Sequence, residues 1–143
     1  MEDKKLEEIL PALNNLAKVL PECWGADTSS DPESWNMFNR CYGQCAVTAL
    51  LVQDYCGGKI VNCTLEVPRW GEKGKSVSHY FNKIGNLEID LTKHQFPEDT
   101  EVPKGVDKKK DFPTTRDYVL FYEPTAKRYE LLKERVEKEL AKL

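Results

Sequence analysis

Apolar residues recur at helical spacing near both ends of the chain. In residues 6–20, leucine, isoleucine and alanine side chains lie three and four positions apart, which predicts an amphipathic helix that Pro21 ends. Residues 124–143 carry one stripe of large apolar side chains, and Glu134 and Lys138 form a favourable pair one helical turn apart. We therefore predict one helix at each end of the chain.

A further helix is predicted near the middle of the chain, where the hydrophobic pattern is different. Residues 44–56 are apolar on nearly every side, so this helix should be buried all round. It runs into Gly57 and Gly58, and a glycine pair is typical of a helix C-terminus. Cys45 then lies in the first turn of a buried central helix.

The sequence predicts three β-strands after this helix. Residues 59–67 are rich in β-branched and apolar side chains, and residues 76–84 and 87–92 give two more strands. Gly85 and Asn86 join the last two as a two-residue hairpin turn. The order helix, loop, helix, three strands and helix is typical of an α+β domain with an antiparallel sheet.

The turn predicts the register of this hairpin. With two loop residues, Lys83 faces Glu88, and opposite charges across the ladder support that register. His79 then lies on the same face as Asp90 and diagonal to it, roughly 7–8 Å away between backbones and within side-chain reach. A slip of one residue would turn Asp90 to the other face.

Two long segments lack a regular pattern. Residues 21–44 are rich in Gly, Pro, Ser, Asn and Asp and contain Trp24, Trp35 and Phe38, which predicts a long loop held to the body by aromatic side chains. Residues 96–113 contain three prolines and a run of lysines, which predicts a solvated loop.

Composition limits the classes of function. The 143 residues suit a single domain, with the N-terminal helix at 1–20, a catalytic-like core at 21–123 and the C-terminal helix at 124–143. Lys and Arg number 21 against 24 Asp and Glu, so the net charge is −3, which argues against nucleic acid as a partner. No apolar run reaches the roughly 18 residues of a membrane span. Because the charged start lacks an export signal, we expect a cytoplasmic protein without a membrane partner.

Five cysteines carry most of the chemical argument. An odd number without an export signal favours free thiols over a disulfide framework. Cys56 and Cys63 are predicted to be buried apolar residues. Together with Cys41, Cys45 and His94 they could also be read as zinc ligands, but the Cys-x3-Cys spacing lacks a second close pair. We therefore expect no metal and no other cofactor.

Cys45 has the surroundings that a nucleophile needs. A thiol in the first turn of a helix lies at the positive end of the helix dipole, which favours the thiolate. A cysteine nucleophile also needs a base, and the base needs a third group that fixes its tautomer. His79 and Asp90 can supply these two roles. The alternative is a purely structural hydrogen bond between them on a half-exposed sheet.

Three motifs resemble those of the YunG-like family, an uncharacterised family of small bacterial proteins, over roughly residues 20 to 120. They are Gly43-Gln44-Cys45-Ala46-Val47-Thr48-Ala49-Leu50-Leu51-Val52-Gln53-Asp54-Tyr55 with Gly57-Gly58, Ser78-His79-Tyr80-Phe81-Asn82, and Glu88-Ile89-Asp90-Leu91-Thr92 with Gln95-Phe96. The layout is also similar to the core of the papain-like and transglutaminase-like superfamily. In that core a Cys opens a helix packed on an antiparallel sheet, a His begins one strand, and an Asp or Asn lies on the next.

The superfamily resemblance implies a role for each member of this triad. Cys45 would be the nucleophile, His79 the general base and then acid, and Asp90 the group that orients the imidazole. The backbone N–H of Cys45 and one side-chain donor would form the oxyanion hole. Asn39 is the first candidate for that donor, and Gln44 is the second.

The resemblance further implies a substrate cleft shaped by the long loops. The candidates for its walls are Trp35, Trp70, Tyr80 and Asn82. We therefore predict a thiol enzyme that acts on an amide, ester or thioester in a peptide, a protein or a small molecule. Hydrolysis, deamidation and acyl transfer share this machinery. The alternatives are a non-catalytic binding or regulatory module of the same fold, and a redox sensor built on Cys41 and Cys45.

Overall fold

The computed structural model describes residues 6–67 and 75–143. Within these residues the elements are, in chain order, α1 (Leu6–Cys23), α2 (Cys45–Cys56), β1 (Lys59–Val67), β2 (Lys75–Ile84), β3 (Leu87–Ile89), α3 (Thr115–Phe121) and α4 (Glu123–Leu140). The strands form an antiparallel sheet in the order β1-β2-β3. The predicted α+β class is confirmed. No helix of the described residues is long and apolar enough to cross a membrane.

Both terminal helices are present. The prediction that Pro21 ends the first one is wrong, since α1 continues to Cys23. A proline in the last turn removes its own N–H, and the single hydrogen bond lost there does not stop the helix. In α4, the ammonium of Lys138 donates to the carboxylate of Glu134 at 3.2 Å, as the spacing predicts.

The buried central helix is confirmed. α2 begins at Cys45 and ends at Cys56, and Gly57 follows with a φ of 78°, a left-handed conformation that glycine adopts without strain. Leu50 and Leu51 have no exposure to solvent. Because α2 packs against α1, α4 and the sheet, it is covered on most sides and only Asp54 is exposed, which explains why it has almost no polar face.

The predicted hairpin register is confirmed, but the last strand is shorter than predicted. Lys83 pairs with Glu88 across the ladder. β3 ends at Ile89 instead of Thr92, because the Asp90 carboxylate accepts a hydrogen bond from the N–H of Thr92 at 3.2 Å and turns the chain away. Because β3 is short, it pairs only with the C-terminal end of β2, and the rest of β2 has no strand partner on that side among the described residues.

The sheet separates two apolar clusters. One face, which includes Ile60, packs against α1, α2 and α4. The other face, which includes Val61, is covered by the segment after β3 through Phe96. His79 lies on this second face, since it is paired directly with Cys63 of β1.

The long loop before α2 is held by some of its aromatic residues. Trp24 Nε1 donates to the hydroxyl of Thr48 at 3.0 Å, and Trp35 Nε1 donates to the carbonyl of Arg40 at 2.7 Å. Phe38 is fully exposed, so the prediction that it anchors the loop is wrong. It lies in a tight turn that the hydrogen bond from the N–H of Asn39 to the carbonyl of Asn36 closes at 3.1 Å.

Two features of the chain after the sheet were not predicted. Val106, inside residues 96–113, forms a bridge with Asn62 of β1 through N···O distances of 2.8 and 2.9 Å. Helix α3 lies where the hydrophobic pattern predicts no element. Its N-cap, Thr114, accepts a hydrogen bond from the N–H of Asp117 at 3.1 Å. The Thr-x-x-Asp pattern is the feature of the sequence that indicates the start of this helix.

Leu132 of α4 tests how far the terminal helix stabilises the core. Its side chain is completely buried, so Leu132→Ala should lower the free energy of unfolding by about 2–5 kcal/mol through lost contacts and the cavity left behind. Urea denaturation followed by circular dichroism measures this loss. Glu130→Ala, exposed on the same helix, should change stability by less than about 0.5 kcal/mol. Equal losses in the two variants would contradict the packing described here.

Candidate active site

His79 and Asp90 meet as the hairpin register predicts. Nε2 of His79 lies 2.7 Å from Oδ2 of Asp90. The imidazole has no exposure to solvent. It is stacked on the ring of Phe81 at 5.5 Å between centroids and contacts Phe96 edge-on at 4.9 Å. These two rings hold the imidazole in one orientation.

A second set of hydrogen bonds holds Asp90 itself. Its Oδ1 accepts from the N–H of Thr92 at 3.2 Å and from the hydroxyl of Thr92 at 3.4 Å. The side-chain amide of Gln95 donates to the carbonyl and the hydroxyl of Thr92 at 3.1 and 3.2 Å. Gln95 also accepts from the N–H of Gly43 at 3.3 Å. Gln95, to which sequence reasoning assigned no role, thus connects the turn after β3 to the loop directly before Cys45.

Cys45 lies at the other side of the imidazole. It begins α2 and is half-buried. Nδ1 of His79 is buried and forms no hydrogen bond of standard geometry with any residue that the structure describes. Cys45 is nevertheless close enough to interact with the imidazole and change its pKa. A buried ring nitrogen without a hydrogen-bond partner raises the free energy of the folded state. Nδ1 of His79 is therefore available to exchange a proton with Cys45 or with a group bound beside it.

Opposing influences set the pKa of His79. Burial lowers it, the hydrogen bond to Asp90 raises it, and the adjacent Cys45 raises it further. The balance raises the pKa of His79 to about 9. His79 is therefore an imidazolium at neutral pH, and an imidazolium beside a cysteine favours the thiolate form.

The start of α2 adds backbone donors beside the thiol. No side chain caps this helix, because the amide of Gln44 donates instead to the carbonyl of Gly25 at 2.9 Å. The N–H groups of the first turn, beginning with that of Cys45, have no partner inside the helix. They can stabilise negative charge that develops next to Cys45.

Neither predicted side-chain donor of the oxyanion hole lies in the cleft at Cys45. Gln44 is completely buried and bonded to the loop before α2. The amide of Asn39 donates to the carbonyl of Gln95 at 2.9 Å, and Asn39 lines a different cavity. Both side chains thus hold the loop before α2 in place. The candidate oxyanion donors are therefore the backbone N–H groups at the start of α2.

A cleft of about 170 Å³ opens onto Cys45. The residues that line it come from the loop before α2, the start of β2 and the turn after β3; they are Ser30, Asp31, Tyr42, Gly43, Cys45, Val77, Ser78, Gln95 and Phe96. The cleft combines hydroxyl groups, one carboxylate and the thiol. It can admit a small polar group next to Cys45.

Three of the four predicted wall residues do not line this cleft. Trp35 is bonded within its own loop, and Tyr80 packs against the helix-facing core. Asn82 is buried and donates to the carbonyl of Ala49 at 2.9 Å, which ties β2 to α2. Trp70 lies outside the described residues. No local pattern in the sequence indicates the residues that line the cleft, since they are brought together from distant segments.

A larger cavity of about 360 Å³ lies on the other side of Asp90. Its lining includes Trp24, Phe38, Cys41 and the exposed His94, but Cys45 is not part of it. Asp90 therefore contacts His79 and also lines this cavity. The larger cavity offers aromatic and apolar surface without a thiol nucleophile.

The other four cysteines are buried. None of the five cysteines is in a disulfide, and Cys56 and Cys63 are buried as predicted. Burial raises the pKa of Cys41 to about 11, which disfavours this residue as the resolving thiolate of a redox pair with Cys45. In the described part of the chain, no three His, Cys, Asp or Glu side chains are grouped as metal ligands.

The fold and the site define an α+β protein with a Cys-His-Asp cluster at the edge of a small antiparallel sheet. The chain belongs to the YunG family, since the family model described as YunG protein matches residues 12–141. It is also similar to "Uncharacterized protein YunG" of Bacillus subtilis (strain 168), with 30% identity over 84 residues. That match covers 59% of this chain and 63% of the relative. No solved structure gives a significant match.

The raised pKa of His79 predicts that stability depends on pH. The pKa rises from an ordinary value of 6.5 to about 9 on folding, so this stabilisation is complete below pH 6.5 and is lost as the pH rises through 9. In Cys45→Ser, where no thiol can offset the proton that His79 takes up on folding, urea denaturation at a series of pH values should therefore show the free energy of unfolding falling as the pH rises above 6.5. Asp90→Asn should make the fall smaller, because it removes the carboxylate that raises the pKa.

His94→Gln is the matched control, because His94 is exposed, and it should keep the full fall. The series stops at pH 9, since burial raises the pKa of Cys23, Cys41 and Cys63 from 9 to about 11 and their thiols affect stability above that pH. A stability of Cys45→Ser that stays flat across the series would contradict the charge state assigned to His79.

Proposed function

We propose that the chain is a papain-like cysteine enzyme that acts on an amide, ester or thioester. The observation that carries the proposal is the buried His79, which bonds Asp90 through Nε2 and has its free Nδ1 beside Cys45. A purely structural pair of His79 and Asp90 would not need a half-exposed thiol on the other side of the ring. It would also not need that thiol to begin a helix and face a cleft.

The arrangement of elements supports the papain-like part of the proposal. The helix that begins with Cys45 packs on an antiparallel sheet, His79 lies on β2, and Asp90 directly follows β3. Nucleophile, base and orienting group therefore follow one another along the chain in the order expected from that superfamily.

In the first chemical step the thiolate of Cys45 attacks the substrate carbonyl carbon. A carbon–sulfur bond forms, and the carbonyl π electrons move to the oxygen, where the N–H groups at the start of α2 stabilise the charge. When this intermediate collapses, the bond to the leaving group breaks, and His79 transfers its Nδ1 proton to that group. The products of this step are an acyl-enzyme at Cys45 and a neutral His79.

In the second step water or an amine attacks the thioester carbon while neutral His79 takes a proton from it. Collapse of the second intermediate breaks the carbon–sulfur bond and returns Cys45 as a thiolate beside an imidazolium. Asp90 stays ionised throughout and holds the ring in position. Hydrolysis and deamidation use water in this step, whereas acyl transfer uses an amine.

The pH dependence of alkylation tests the nucleophile. Cys45 should react with iodoacetamide well below pH 7 in the wild type, because the imidazolium of His79 favours the thiolate. In His79→Ala this early reaction should be lost. Peptide mass spectrometry follows each cysteine separately, and the four buried cysteines are internal references. If Cys45 reacts only as an ordinary thiol with a pKa of about 8.5, it is not an activated nucleophile.

One observation favours a binding module as the second candidate. The larger cavity beside Asp90 holds aromatic side chains such as Trp24 and Phe38 but not Cys45. A protein that binds a ligand there would use the fold without turnover.

Cys45→Ser separates the two candidates. In a screen of activated esters and amides, the enzyme proposal predicts that turnover falls by about 100-fold or more, since a hydroxyl is a far weaker nucleophile than a thiolate. Cys41→Ala is the matched control, because Cys41 lies outside the cleft, and it should retain turnover. Turnover that survives in Cys45→Ser would exclude Cys45 as the nucleophile and leave the binding module as the better explanation.

A further inference from the structure

The cleft at Cys45 has one carboxylate in its lining. Among the described residues that line it, Asp31 is the only Asp, Glu, Lys, Arg or His. Asp31 is half-buried, and within the residues that the structure describes no Lys, Arg or His forms a salt bridge with it. No described residue therefore supplies a counter-charge in contact with this carboxylate at the cleft.

The carboxylate of Asp31 is held in place by its surroundings. Burial, followed by the charge of Asp31 and a hydrogen bond to its carboxylate, raises the pKa of Tyr42, which thus remains a neutral hydroxyl donor. The backbone of the same turn is also bonded. The hydroxyl of Ser29 accepts from the N–H of Asp31 at 3.1 Å, and the N–H of Ser34 donates to the carbonyl of Asp31 at 3.2 Å.

The cations of the described residues near the cleft have other partners. The imidazolium of His79 is bonded to Asp90. Lys108 does not line the cleft. Its ammonium donates to the hydroxyl of Ser78 at 3.1 Å and lies 5.9 Å from the centre of the Tyr80 ring.

We propose that Asp31 selects substrates that carry an ammonium or guanidinium group close to the reacting carbonyl. The inference rests on the proposed function and names the class of substrate for that same cleft. A cation in the cleft would neutralise Asp31 at short range, whereas an anion would meet an unbalanced like charge. Because the cleft measures only about 170 Å³, the cationic group and the carbonyl would lie within a few bonds of each other.

Charged thiol reagents test Asp31 without a known substrate. Cys45 is treated with two methanethiosulfonates that differ in charge, the ethylammonium and the ethylsulfonate reagents, and with the neutral methyl reagent. In each reaction the thiolate attacks the sulfenyl sulfur, a disulfide forms, and methanesulfinate leaves. Mass spectrometry of the Cys45 peptide gives the three rates at low ionic strength, where charge effects are least screened.

The expected result is a change in the ratio of the cationic to the anionic rate. Asp31→Asn keeps the shape of the side chain and should lower that ratio by about threefold to tenfold, while the neutral rate changes little. Asp31→Glu should keep most of the ratio. Glu33→Gln removes an exposed charge of the same loop outside the cleft lining, and it should leave the ratio unchanged. Circular dichroism confirms that each variant is folded.

The inference and the proposed function fail in different ways. An unchanged ratio in Asp31→Asn, or an equal drop in Glu33→Gln, would overturn the role of Asp31 even if Cys45 is highly reactive. A neutral rate that shows no early reaction at low pH would count against the nucleophile. The ratio measured at higher pH would still test Asp31, because every accessible thiolate reacts with these reagents.

Discussion

A charged imidazole without any exposure to solvent must be stabilised entirely by other groups of the protein. His79 meets this requirement through Asp90 on one nitrogen, Cys45 near the other, and aromatic rings on its faces. These partners come from α2, from β2 and from the turn after β3. The molecule can therefore keep a charge in its interior only because α2 packs on the sheet and β3 ends early.

The part of the site that lies within one hairpin could be predicted from the sequence. The turn and the opposed pair of Lys83 and Glu88 determine the register, and the register brings His79 and Asp90 together. The approach of Cys45 has no such local signature, because it depends on how α2 docks on the sheet. The same holds for Gln95, whose bonds join segments about fifty residues apart.

The errors in the predicted elements have local physical causes. A helix pattern alone does not show that a proline in a last turn is tolerated, as at Pro21. A side chain that bonds its own backbone, as Asp90 does with Thr92, ends a strand that the β-branched pattern would continue. Trp35 and Tyr80 were predicted to line the cleft. In the structure Trp35 bonds within its own loop and Tyr80 packs against the helix-facing core, and the aromatic residues that line the cleft are Tyr42 and Phe96.

The bridge between Val106 and Asn62 has a consequence for how the protein behaves at high concentration. An exposed strand edge is a template on which a second chain can add, and this leads to aggregation. The bridge occupies the middle of the outer edge of β1, and the adjoining Gly105 packs so closely on Val61 that an added Cβ would lie 2.3 Å from that side chain. A strand from a neighbouring molecule would find that position taken, so the loop protects the β1 edge of the sheet from edge-to-edge association.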